Sequence, residues 1–108
     1  MERFPCPYLS GVVELTDERE EHIADHHPDL LPVYRDRIAE TLAEPDFIRR
    51  STRAANVRLF ARWFDDVRGG KNVVIVVVTD SGPDVRHWVL TAYIARKLAG
   101  GLTEWMRS

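Results

Sequence analysis

Apolar residues recur at helical spacing through the first half of the 108-residue chain and at strand spacing through the second. Gly11 to Leu15 is a short apolar entry segment, after which Thr16 or Asp17 is placed to cap a helix running to about His27. Asp17 with Glu20 has the form of a capping box, and acidic residues in a first turn complement the helix dipole. Pro28 stops that helix, because proline disfavours the helical conformation for the residue before it. A second helix begins near Pro32, carries Tyr34, Ile38 and Leu42 four apart on one face, and ends at Pro45. Each helix therefore has one apolar stripe that must be buried against something else.

The second half supplies the partner. Phe47 to Ser51 is a short strand, and Asn56 to Asp66 alternates Val57, Leu59, Ala61 and Trp63 on one face with Arg58, Phe60, Arg62 and Phe64 on the other. Arg68 to Lys71 is a turn around two glycines. Val73 to Thr79 is an unbroken β-branched run, the signature of a strand covered on both faces. Val85 to Ala92 follows as a strand with His87, Val89 and Thr91 on one face and Arg86, Trp88 and Leu90 on the other. Ile94 and Leu98 predict a short C-terminal helix, which Gly100-Gly101 would end. Helices first and short-turned strands afterwards predict one α+β domain, its core about residues 11–98. Its N-terminal helices would pack on one face of an antiparallel β-meander.

Composition narrows the class. With 44% hydrophobic and 30% charged residues, the chain can bury a core without a metal or disulfide staple. The single cysteine, Cys6, lies between two prolines in an N-terminus expected to be mobile, so no disulfide framework exists and a reducing cytoplasm is the expected location. The longest apolar run, Val73 to Val78, is too short to cross a bilayer, and no signal-peptide pattern opens the chain, so no membrane partner is expected. The net charge of −2 conceals an asymmetry: residues 1–48 carry a balance of −8, and residues 49–71 a balance of +5 that is almost entirely arginine. Arginine is the side chain suited to forked contacts with phosphate oxygens, although a solvated strand face beside an acidic helical layer has the same composition.

The candidate chemistry sits in two segments. His22, His26 and His27 crowd the end of the first helix, where the 100° step puts His22 and His26 on one face and His27 beside Ile23 at the core margin. Unpaired carbonyls at a helix C-terminus attract a cation, which suits His27 to donating a proton, but a helix-ending histidine that bonds those carbonyls needs no function at all. Thr91 and Tyr93, two residues apart on the last strand, would present hydroxyls on the same face as His87. Arg58 and Arg62 share a face with Phe60 and Phe64, so that rings could stack bases while guanidiniums hold phosphate. His22-x-x-Asp25-His26 also has the spacing of an inverted zinc-protease motif with aspartate replacing glutamate, and lacks the third ligand that zinc requires.

In this order, the helix ending in His26-His27-Pro28, the strand Val57-Arg58-Leu59-Phe60-Ala61-Arg62, the valine run and Val89-Leu90-Thr91-Ala92-Tyr93 resemble the barnase–EndoU–colicin–RelE group of small ribonuclease domains. The likeness is to phage- and toxin-associated members whose final strand ends in Thr-Ala-Tyr, and it covers about Gly11 to Leu98. The resemblance implies cofactor-free, metal-independent RNA cleavage, in which the ribose 2′-hydroxyl attacks the adjacent phosphate. It makes His27 the acid–base residue, Arg62 the stabiliser of the phosphorane, and Thr91 and Tyr93 the groups that polarise the scissile phosphate. His22, His26, Arg50, Ser51 and Arg58 become substrate contacts, with RNA and an inhibitor or antitoxin protein as partners. Members of the group commonly carry arginine where this chain has His26. A silent binding module of the same fold and a zinc hydrolase using His22 and His26 are the alternative readings.

Overall fold

The computed structural model describes Met1–Ser108. In chain order it contains β1 (Glu2–Cys6), a single 3₁₀ turn (Pro7–Leu9), β2 (Gly11–Leu15), α1 (Asp17–His26), α2 (Arg35–Ala43), β3 (Phe47–Arg50), β4 (Val57–Phe64), β5 (Lys71–Asp80), β6 (Arg86–Ala95) and β7 (Leu102–Met106). The fold is α+β: one seven-stranded sheet in the order β1-β2-β6-β5-β4-β3-β7, with two helices. The meander of β3 to β6 is antiparallel, but β2 joins β6 in parallel through a single pair, Glu14 with Trp88, so the sheet is mixed.

Alternation along β4 and β5 divides the sheet into two faces. Phe60, Phe64, Val73, Ile75 and Val77 form the inner face and pack with Ile23 of α1 and with Ile38 and Leu42 of α2. Ala61 and Val74 form a smaller outer cluster capped by Leu98. The run Val73 to Val77 is buried on both faces, as a central strand requires.

Four local expectations change. The N-terminus is not mobile: it forms β1 along β2, and Cys6 is fully buried in the main core. There is no C-terminal helix, because Ile94 pairs with Val73 inside β6 and Leu98 lies in the turn that returns the chain as β7. That turn needs glycine at position 101, where φ is +76° and a Cβ would come within 3.1 Å of the Arg50 carbonyl. The helix cap is Thr16, whose Oγ1 accepts from the Arg19 amide at 3.2 Å; with arginine at the third helical position, the reciprocal capping box does not form.

The fourth change is a bulge. Val77 pairs with Val89 and Val76 with Thr91, leaving Leu90 as an extra residue in β6. The bulge reverses the facing of everything after it: Val89 and Ala92 both enter the main core, an odd and an even position. His87, opposite Thr79, therefore faces inward, whereas Thr91 and Tyr93, opposite Val76 and Val74, face outward. The expectation that Thr91 and Tyr93 share a face with His87 fails for this reason.

The two ends of the sheet meet. Tyr8, just after β1, donates its hydroxyl to Glu104 of β7 at 2.5 Å and sets its ring 6.1 Å from both Phe60 and Trp105. The sheet thus curls around the inner core.

Candidate functional site

Where β2 separates from β6, α1 takes its place along the strand. Arg19 Nη1 donates to the Leu90 carbonyl at 3.2 Å, clasping the bulge, and the helix then runs beside the rest of β6. Eight helical residues advance roughly 12 Å and three strand residues roughly 10 Å, so the helix that touches Leu90 at Arg19 reaches Tyr93 at His27. The His27 and Tyr93 rings lie 6.1 Å apart, tilted by 39°. His27 is the C-cap of α1: its amide bonds the Ile23 carbonyl at 2.7 Å, and its own carbonyl accepts from Leu30 and Leu31. Pro28 disfavours the helical conformation at His27, whose backbone leaves the helix at φ −131° and ψ 64°, and this sets the direction in which the ring leaves the helix.

Tyr93 is half-buried, and burial pushes its phenol above the ordinary value, so it remains protonated near neutrality and acts as a donor. The Thr91 hydroxyl is buried without any hydrogen-bond partner. Next to this pair the His22 and His26 rings stack at 4.2 Å, and His26 Nδ1 lies 2.9 Å from the His22 carbonyl. Burial, followed by the nearby charges of His26, Arg19 and His27, pushes His22 below the usual histidine value, with Asp25 opposing.

The arginines occupy other places. Arg62 is on the inner face, since it pairs with Val73; it donates to the Glu44 carbonyl at 3.3 Å and lies 5.1 Å from the Phe64 ring centre. Arg58 pairs with Val77, also inward and three residues along β5 from the partner of Tyr93. Its Nε donates to Glu104 at 2.8 Å, and Arg50 Nε donates to the other oxygen of that carboxylate at 2.6 Å. Ser51 Oγ accepts from the Arg53 amide at 3.1 Å. The structure therefore joins His27 with Tyr93, and His22 with His26, while Arg50, Arg58 and Arg62 are turned to the inner face. Arg53, Arg96 and Lys97 are exposed and form no ion pair; the last two directly follow β6 beyond Tyr93.

A polar chain absent from the sequence reading runs across the inner face: Tyr8, Glu104, Arg58, Thr79 and His87. Arg58 Nη1 reaches Thr79 Oγ1 at 3.4 Å, and that oxygen lies 2.8 Å from His87 Nδ1. Burial and the Arg58 charge together hold His87 below its usual value. Burial pushes the Glu104 carboxyl up, but hydrogen bonds from Tyr8, Arg58 and Arg50 and the Arg58 charge outweigh it and bring it to about 2. Only the placement of β7 beside β3 reveals this cluster. Its acid lies more than forty residues from either arginine, and its tyrosine lies at the other end of the chain.

The largest surface depression, about 450 Å³ between Pro7, Tyr8, Pro45, Trp105 and Arg107, lies away from His27. No three His, Cys, Asp or Glu side chains converge on a common point suited to a metal ion. No helix is long and apolar enough to cross a membrane. Comparison with protein-family models, curated proteins and solved structures returned no match.

Proposed function

We propose that the His27–Tyr93 pair is the centre of a metal-independent ribonuclease that cleaves RNA by attack of the ribose 2′-hydroxyl on the adjacent phosphate. One observation carries this reading: an imidazole and a protonated phenol from opposite halves of the chain meet 6.1 Å apart on the outer side of β6. Rings with centres at that separation can both contact one bound group, and acid–base groups act on it at hydrogen-bond range or through one water. His27 exchanges the proton and Tyr93 donates a hydrogen bond to the phosphate, while the unpartnered Thr91 hydroxyl is buried and reaches a second oxygen only if the side chains covering it move aside. The 2′-oxygen forms a bond to phosphorus as the 5′-oxygen leaves; one proton is lost by the first and one gained by the second. Arg96 and Lys97, the unpaired cations that follow the end of β6 beyond Tyr93, attract the backbone, whereas Arg62 would have to leave its Glu44 contact to reach a phosphate held there. In a cell such an enzyme acts as a toxin or phage-conflict effector, held in check by an inhibitor protein.

A second reading, a silent binding module, is favoured by the engagement of Arg50 and Arg58 with Glu104, which removes two cations from any phosphate surface. Incubation with mixed cellular RNA in EDTA, followed by analysis of the new ends, separates the two. Cyclic phosphate produced by the parent and lost in folded His27→Ala supports the ribonuclease. Absence of cleavage by the parent across pH 5 to 9, a range of about two decades either side of neutrality, refutes it.

A further inference from the structure

The end of α1 holds two imidazoles whose arrangement fits a role separate from acid–base chemistry. His22 and His26 stand one helical turn apart, on the same face, with ring centres 4.2 Å apart. Two imidazole nitrogens each about 2.1 Å from one metal ion, at a right angle to one another, place the ring centres about 4.6 Å apart. The observed separation is thus close to that of a chelate, and rotation of the His22 ring alone turns the pair from a stack tilted by 29° to converging.

The hydrogen bond of His26 adds a second argument. Its Nδ1 lies 2.9 Å from the His22 carbonyl, and a carbonyl oxygen only accepts, so Nδ1 carries the hydrogen and the lone pair of the neutral ring is on Nε2. Metal-binding histidines use this same second-shell bond to a backbone carbonyl to fix the tautomer and ring direction. His26 is exposed and His22 half-buried, so an ion from solvent reaches both. We propose that His22 and His26 form a two-histidine chelate for a borderline or soft divalent ion, copper, nickel or zinc, with water in the remaining positions. No third protein donor converges there, so the site binds and releases its ion reversibly and does not serve as a structural metal centre. Its effect on the fold is to staple the last turn of α1, a helix anchored in the core by Ile23 alone among its buried residues.

Titrating the full chain with Cu²⁺, Ni²⁺, Zn²⁺ and Mg²⁺ in a non-coordinating buffer, by calorimetry and by thermal unfolding, tests this. One equivalent should bind, with copper tightest, in the order that imidazole sites give, and the melting temperature should rise with it. His22→Ala and His26→Ala should each weaken copper binding by about tenfold or more, and His27→Ala and His87→Ala by less than about twofold. Circular dichroism checks that each variant keeps its helices, and the electron paramagnetic resonance spectrum of bound copper should show two coupled nitrogens in the parent and one in each weakened variant. Equal affinity in parent and His26→Ala overturns the proposal. So does loss of binding in His27→Ala, or magnesium binding as tight as copper, which would assign the ion to the acidic residues of α1.

Discussion

Replacing Glu104 by glutamine tests the clasp that closes the sheet. The side chain keeps its shape and loses its charge, leaving Arg58, whose side chain is 19% exposed, beside a neutral amide. The carboxyl falls from an ordinary 4.5 to about 2 in the folded protein. At about 1.4 kcal/mol per tenfold change in the proton equilibrium, this amounts to about 3 kcal/mol of stability at neutral pH. Because the folded value is depressed, that stability is fully present above the ordinary value and is lost as pH falls from there through about 2. Urea unfolding at pH 7 should therefore show Glu104→Gln less stable by about 2–3 kcal/mol, a shift in midpoint of about 1–2 M for a domain of this size. The gap between parent and variant should shrink to about half by pH 3, about one decade above the folded value, and close only below about 2, where Glu104 is protonated in the folded protein and nearly equivalent to glutamine. A gap under about 0.5 kcal/mol at pH 7, or one that stays constant on acidification, would show that the Tyr8–Glu104–Arg50–Arg58 cluster is a solvated surface arrangement.

Other outcomes follow from the same geometry. Ile75→Ala, at a fully buried inner-face position, should cost about 2–4 kcal/mol in chemical unfolding, and Leu90→Ala, at the exposed bulge, under about 1. Folded His87 resists protonation, so its contribution is complete above the ordinary histidine value and lost as pH falls below it; His87→Asn should flatten the loss of stability between about pH 7 and 5. If the protein binds single-stranded RNA, Arg96→Ala and Lys97→Ala should each lower the salt slope by about 0.7, and Arg58→Ala should leave it unchanged, because Arg58 is committed to Glu104. In cleavage assays Tyr93→Phe should cost less than His27→Ala if the phenol only donates a hydrogen bond, and an equal loss would make it the proton donor.

Period and punctuation along the chain determined the elements. The β-branched run at Val73 to Val77 could be satisfied only by a strand with neighbours on both sides, and the alternation of Phe60 and Phe64 with Ala61 marked the two faces of β4. Pro28 and Pro45 marked the ends of α1 and α2 because their effect is local and steric. The same local logic placed His27 at a helix end and Tyr93 on a strand, and their spatial pairing became visible only when α1 replaced β2 along β6. Tertiary structure decided whatever depended on pairing. Pro5 and Cys6 lie in a paired strand because β2 offers an edge, and Ile94 is a strand residue because β5 is long enough to bind it. The Leu90 bulge, which no period-two pattern announces, exchanged the faces of His87 and Tyr93. The arginines show the limit most directly. Charge density along a chain cannot say whether a guanidinium meets solvent or a distant carboxylate, and here Glu104, brought in by β7, holds Arg50 and Arg58 on the inner side of the sheet.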